Sequence, residues 1–195
     1  SEQFLMSFAT RYENYSDFGS TLNFKLASRF KATDNLNIRA AVNTGFRAPS
    51  LHQINFNSTS TIFDQAGNPQ EVGTFANDSR AAKLLGIPEL KQETSKSVSL
   101  GLTAKIPNAN LTVTVDGYFV SINDRVVYTG QFSGPGTGTE LDNLLRQANA
   151  TAASFFANAI DTESKGLDIV VTHNTTFGDS WRLKSDLAGT FSKTK

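Results

Sequence analysis

Apolar and polar residues alternate with a period of two along most of this chain, the pattern of strands that present one apolar and one polar face. The cleanest run is Ser20–Lys31, where Leu22, Phe24, Leu26, Ser28 and Phe30 oppose Thr21, Asn23, Lys25, Ala27, Arg29 and Lys31. Gln3–Glu13 puts Phe4, Met6, Phe8, Thr10 and Tyr12 on one face, with Leu5 out of pattern. From Leu36, the residues Leu36, Ile38, Ala40, Val42, Thr44 and Phe46 oppose Asn37, Arg39, Ala41, Asn43 and Gly45. That strand is expected to stop after Arg47, because Pro49 has no ladder donor and biases Ala48 toward an extended conformation. Further strands are predicted at Thr94–Ile106, at Leu111–Tyr128, at Thr162–Thr175 and from Trp181 onward. Within Leu111–Tyr128, the run Asn123, Asp124, Arg125 predicts a bulge or bend. Lys96 falls on an apolar face, close enough to the strand end to snorkel.

Turn-forming residues separate the strands unevenly. Residues 14–19, 33–35, 107–110 and 177–180 read as tight turns, whereas His52–Gln92 and Thr129–Ile160 are long connections. The first long connection is irregular by pattern, with a helical turn or two at Ser79–Leu85 before Gly86, Ile87 and Pro88. In the second, Leu141, Leu144, Leu145, Ala148, Ala152 and Phe155 recur at helical spacing, and Thr139 with Asp142 forms a capping pair. This predicts one short amphipathic loop helix within Glu140–Phe156. After the first hairpin, connections alternate short and long, so every long one leaves the same end of the sheet. The fold class is all-β, an antiparallel up-and-down meander of about seven long strands. Tight turns at one end and long loops at the other are the layout of an outer-membrane barrel. Phe30, Phe177 and Trp181 toward the short-turn end, and Tyr12, Phe18 and Phe46 toward the other, fall where aromatic girdles lie. The alternative is that these rings fill the core of a soluble β-sandwich or adhesin-like binding module.

Composition narrows the function classes. The 195 residues carry 18 Lys plus Arg and 18 Asp plus Glu, so no basic excess points to nucleic acid. With no cysteine and two histidines, His52 and His173, a zinc site would have to recruit carboxylates. No signal peptide and no apolar run long enough for a transmembrane helix are visible. Neither observation bears on a β-barrel, whose alternating strands barely register on hydropathy.

Five stretches, in order, resemble one family: RYENYSDFGS at Arg11–Ser20, GFRAPSL at Gly45–Leu51, ELKQETSKSVSLGL at Glu89–Leu102, YFVSINDRVV at Tyr118–Val127 and FFANAIDTESKGLD at Phe155–Asp168. Together they look like TonB-dependent outer-membrane receptors. The resemblance implies a segment of a 22-stranded transmembrane barrel closed around a plug. It implies import of scarce nutrients such as ferric siderophores, haem or glycans, with energy from the TonB complex acting through the plug. Residues 1–195 are expected to be an internal part of the barrel domain, since no plug, TonB box or aromatic C-terminal strand is recognisable. The expected location is the bacterial outer membrane, with lipid as one partner. A segment so cut leaves open strand edges through which it is expected to self-associate.

Site residues follow from position. Arg47 is the most specific residue of the resemblance. It is expected to pair with carboxylates or loop carbonyls at the strand end, with ligand contact as the alternative. His52, just inside the long loop, is the second ligand-binding candidate, able to touch an iron chelate or haem. Asp64, Asn68, Glu71, Asn77 and Asp78 lack the spacing of a calcium loop and read as solvated loop. Ser50 and His52 have no nucleophile elbow around them, so no catalysis is expected, nor any cofactor or metal. Lys25, Arg29, Lys31, Arg39, Lys105, Asp116, Asp168, Arg182, Lys184 and Asp186 sit opposite apolar neighbours, as lumen-facing residues should.

Overall fold

The computed structural model describes residues 3–16, 19–136, 138–178 and 180–195. Phe18, assigned above to a girdle, and the turn residues Asp17 and Asp179 lie outside the described residues. The chain divides into two compact units, one of Ser1–Phe46, Thr94–Asn123 and Asp161–Lys195, the other of Arg47–Glu93 and Asp124–Ile160.

The first unit is a seven-stranded sheet in the order β1-β2-β3-β6-β7-β10-β11. Its strands are β1 (Phe4–Tyr15), β2 (Gly19–Thr33), β3 (Leu36–Arg47), β6 (Glu93–Ile106), β7 (Leu111–Tyr128), β10 (Phe156–Phe177) and β11 (Trp181–Thr194), with the far ends of several belonging to the second unit. Neighbours in space are neighbours in chain order, as the alternation predicts for a meander. At 12 to 22 residues each, these strands are longer than the ~9–11 residues that cross a bilayer. No helix among the described residues is long and apolar enough to cross a membrane.

Register sets the apolar residues of adjacent strands side by side. Phe4 pairs with Phe30, Phe8 with Leu26 and Tyr12 with Leu22; Val98 pairs with Phe119 and Leu102 with Val115; Leu167 pairs with Phe191 and Phe177 with Trp181. The resulting face is solvent-exposed: Phe8 is 67% exposed, Leu22 68%, Leu187 74% and Trp181 77%. Large apolar side chains aligned on one open face form a contiguous apolar surface of the kind that marks contact with lipid or a partner.

The tight turns have local causes. Pro107–Ala109 forms a single 3-10 turn, and Asn110 closes it at φ +50, a left-handed conformation that its short polar side chain tolerates. Asp124 takes φ +57 inside β7, the irregularity anticipated at Asn123–Arg125.

The second unit corrects the reading of the first long connection as irregular. It holds α1 (Leu51–Asn55), a hairpin of β4 (Ser58–Phe63) and β5 (Pro69–Thr74), and α2 (Arg80–Leu84). The hairpin has no period-two signature, because Ser58, Thr59, Ser60 and Thr61 are all small and polar. Asp64 closes its turn, its Oδ1 accepting from the amides of Ala66 (2.9 Å) and Asn68 (2.8 Å). The second connection holds β8 (Phe132–Ser133), α3 (Glu140–Gln147) and β9 (Ala152–Ser154). The capping pair is present as a full capping box, Asp142 N–H to Thr139 and Thr139 N–H to Asp142. The helix ends nine residues before the predicted limit at Phe156. Asn149 adopts φ +51 and Ala150 N–H returns to Leu145 O at 2.8 Å, a left-handed C-terminal stop. Ala152 and Phe155 then face the interior from an extended segment.

A small sheet, β4-β5-β9-β8, organises this unit, with β5 and β9 parallel. Its core is Ala81 and Ala82 from α2, Leu145 from α3, and Ala150, Ala153 and Phe155. Phe155 is completely buried, with Phe75 and Phe132 rings at 6.3 and 6.1 Å.

Candidate functional site

The polar face of the large sheet is knit by pairs that reach across strands. Arg39 on β3 donates from Nε to Asp116 Oδ1 on β7 at 2.9 Å and completes a bidentate ion pair through Nη2. Strand β6 lies between them, and the bridge passes over Gly101, which is paired with Asp116. A side-chain carbon at Gly101 would run into the carboxylate and lie 2.6 Å from Arg39 Nε, so the bridge in this arrangement passes only over a glycine. Likewise the Tyr118 ring covers Gly166, where a Cβ would come within 2.6 Å of Tyr118 Cζ. Ser97 donates to Asn43 Oδ1, and Asn23 Nδ2 to Thr21 Oγ1 at 3.0 Å. On the outer pair of strands, Thr172 donates to Asp186 at 2.6 Å, and Lys184 lies 3.2 Å from the same carboxylate. Arg39, Asp116, Lys184 and Asp186 thus share a hydrogen-bonded polar surface, and the opposite face is apolar.

In the second unit, the predicted site residues separate. Arg47 ends β3 and forms an ion pair with Glu93, the first residue of β6. The Glu93 side chain is 5% exposed while that of Arg47 is 63% exposed. Glu93 Oε1 also accepts from the Val126 amide at 2.8 Å. Burial alone would raise the Glu93 carboxyl. The hydrogen bonds from Arg47 and Val126, with the positive charges of Arg47 and Arg125, outweigh it and hold the group below its ordinary value. Arg47 is therefore a strand-end tie joining three chain segments, the pairing expected for it. His52 lies on α1 and is exposed. Ser50 caps that helix through a capping box with Gln53, which explains the serine without any nucleophilic role.

The acidic loop residues are used structurally. Asp64 holds the hairpin turn and Glu71 accepts from Thr61 at 2.6 Å. Asn77 donates to the carbonyls of Pro88 (2.7 Å) and Phe156 (2.8 Å), latching the long connections together. Asn158 does the same for Lys91 (2.8 Å) and Asp124 (2.7 Å). Nothing in the period-two pattern distinguished these two asparagines; their only signal was an amide side chain next to strand-end segments. Among the described residues, no group of three or more His, Asp or Glu is arranged to hold a metal ion. An open cavity of about 360 Å³ is lined by Gly134, Gly136, Gly138, Asp142, Leu145, Arg146, Ala150 and Thr151.

A meander of long strands, apolar and exposed on one face and polar and hydrogen-bonded on the other, defines the wall of a transmembrane β-barrel. Comparison with known proteins gives the family. The family model described as TonB dependent receptor-like, beta-barrel matches residues 1–195, and the chain belongs to this family of outer-membrane receptors. Among solved structures it is similar to the siderophore receptor PirA from Pseudomonas aeruginosa, with TM-score 0.67 and 15% identity over 98% of this chain and 32% of that one. It is similar to an enterobactin-bound variant of the ferric enterobactin receptor PfeA from the same organism, with TM-score 0.68 and 17% identity over 98% of this chain and 25% of that one. It also matches the RagAB peptide importer, with TM-score 0.64 and 14% identity over 99% of this chain and 20% of that one. The chain spans a third or less of each of these proteins. No curated protein matches it in sequence.

Proposed function

We propose that this chain forms part of the wall and the long loops of an outer-membrane uptake receptor, importing a scarce small nutrient with energy supplied by the TonB complex. The observation that carries the reading is the inverted burial of the seven-stranded sheet: its aligned apolar side chains are open, and its charged residues lie on the other face, where Arg39 pairs with Asp116 and Lys184 with Asp186. Water on the apolar face would be costly, and lipid removes that cost. Membership of the receptor family supports the outer membrane as the location and a plug as the route to TonB. Residues 1–195 act as part of the barrel domain, with no catalytic step assigned.

The ligand class is an iron chelate, haem or glycan, the first favoured because two of the similar structures are named as siderophore or ferric enterobactin receptors. In this reading Arg47 holds the long-loop segments in place and His52, exposed on α1, is the residue that touches ligand. The test begins with folding. In lipid vesicles, the chain is expected to give heat-modifiable gel mobility and protease-protected strands. A monodisperse, reversibly folding monomer in plain buffer would instead favour the soluble sandwich or adhesin-like module. Ligand contact is tested with ferric enterobactin and with haem: His52→Ala is expected to weaken one of them, and equal binding of both by variant and parent would remove His52 from the site.

A further inference from the structure

Three of the apolar rows on the sheet, those of β6, β10 and β11, end in lysines at the long-loop end. On β11 the outward row runs from Trp181 through Leu183 and Leu187 to Phe191, and the next outward positions are Lys193 and Lys195. Trp181 to Phe191 is ten residue steps, about 33 Å of strand, which at a tilt of 35–45° covers about 25 Å of height, the thickness of a barrel's apolar band. Lys193 and Lys195 therefore fall just past the band, at the depth of lipid headgroups. On β10 the row Phe177, Val171, Ile169 and Leu167 ends the same way, at Lys165. On β6 the row from Ile106 to Val98 ends at Lys96.

Register brings the cluster together. Lys165 stands directly opposite Lys193 in the β10–β11 pair. Like charges at directly opposed positions destabilise a sheet unless a counter-charge sits between them. The backbones of Glu163 and Lys195 exchange hydrogen bonds at 3.1 and 2.9 Å, which brings the third lysine beside the pair. Lys165, Lys193, Lys195, Glu163 and Phe119 line a shallow depression, three ammonium groups against one carboxylate. None of these lysines forms an ion pair among the described residues. On the opposite face, by contrast, Arg39 pairs with Asp116 and Lys184 with Asp186.

We propose that Lys165, Lys193 and Lys195 bind the phosphate groups of an anionic lipid headgroup in the leaflet at the long-loop end, with Phe119 packed against the top of its acyl region. The inference rests on the reading above that the apolar face meets lipid. Charge complementarity and depth select this occupant: the ammonium groups stand where phosphates lie, directly above a surface only acyl chains would wet.

The experiment inserts the chain into phosphatidylcholine vesicles with and without a few per cent of lipid A, a phosphate-bearing lipid. Lipid association is read by the amount of labelled lipid A that co-purifies with the inserted chain, and insertion by heat-modifiable mobility. Each headgroup-level lysine contributes about fivefold to binding, so the combined Lys165→Gln, Lys193→Gln, Lys195→Gln variant is expected to lose roughly a hundredfold. Rising salt should weaken the parent more than the variant. Lys184→Gln, on the polar face, should bind as the parent does. Equal lipid A binding by the inserted parent and the inserted triple variant overturns the proposal and leaves the barrel-wall reading standing. Displacement of lipid A by equimolar inorganic phosphate also overturns it, in favour of a free-anion site. Failure of the parent chain to insert overturns both.

Discussion

The large sheet and the unit built from Arg47–Glu93 and Asp124–Ile160 handle their apolar residues in opposite ways. In the sheet, the largest apolar side chains are the exposed ones: Phe8, Leu22, Leu187 and Trp181 are all more than 65% open. In the other unit, Phe155 is fully buried among alanines, Leu145 is 2% exposed and short strands alternate with short helices. The difference teaches that one chain carries two solvents' worth of design. The loop unit obeys the rule for a protein in water, with a dry interior and polar asparagines latching its segments. The sheet obeys the rule for a wall between water and lipid, in which the hydrogen-bonded face is the wet one. Identical substitutions should therefore have opposite consequences in the two regions.

The largest expected effect lies in the loop unit. Phe155→Ala removes the one large, fully buried aromatic among the unit's described residues and should cost about 3–5 kcal/mol. Hydrogen exchange should rise across Thr129–Ala157 and leave the β1–β2 and β10–β11 hairpins unchanged. Acceleration in those hairpins as well would break the comparison, because the two units would then be one cooperative structure.

Next comes a charge placed on either face of one strand. Leu100→Arg, mid-strand on the apolar face of β6 and 61% exposed, should cost about 2–4 kcal/mol when the chain is folded in a bilayer. Ser99→Arg, one residue away on the polar face, should cost much less. In a water-soluble protein, an arginine at an exposed leucine would be nearly neutral. Equal urea midpoints for Leu100→Arg and the parent in vesicles would thus remove lipid from that face.

A smaller effect is expected at the tie between Arg47 and Glu93, the strand ends that flank the first long connection. Arg47→Ala leaves the buried Glu93 carboxylate with the Val126 amide and the more distant charge of Arg125. With the exposed guanidinium discounted for solvent screening, the cost is about 1–2 kcal/mol. Because the folded Glu93 carboxyl lies below its ordinary value of 4.5, its contribution is complete above that pH and is lost as pH falls through the lower folded value. Glu93→Gln should therefore be less stable than the parent at pH 7, with the gap closing below pH 4.5. A gap that is constant from pH 7 to pH 3 would show that the charge on Glu93 contributes nothing.

How much of this was legible depended on whether a residue's role was written in periodicity. The seven strands were readable because each alternates over three or more apolar–polar pairs, and Thr139 with Asp142 announced α3 because capping is local in sequence. The β4–β5 hairpin was not readable, since Ser58–Thr61 is uniformly small and polar, and the sheet that β5 joins is completed by β9, some 80 residues away. The extended segment at Ala152–Phe155 was misread because alanines satisfy helical spacing by composition, and Asn149 was not recognised as a helix stop. Arg47 was found by motif and its role by position, but its partner Glu93 could not be singled out from the carboxylates nearby. Gly101 and Gly166 carried no signal in one dimension: only register shows that Arg39–Asp116 and Tyr118 must pass over them.

The smallest expected effect tests the claim that the loop's acidic residues are structural. Asp64 is open to solvent, and its carboxylate accepts from the Asn68 amide and side chain and from the Ala66 amide, so its carboxyl lies below the usual 3.8. A depressed folded value means the turn is fully supported above pH 3.8 and loosens as pH drops through the lower folded value. The Ala66 and Asn68 amide protons should therefore shift in NMR spectra with a common midpoint below 3.8. Asp64→Asn, which cannot ionise, should abolish that titration while the β4–β5 pairing persists. Added calcium should leave the midpoint where it is, because the oxygens already face amides. A midpoint at or above 3.8, or one that calcium lowers, would instead make Asp64 a free or ion-binding carboxylate and place chemistry in a unit where Glu71, Glu93 and Asp142 hold chain segments together.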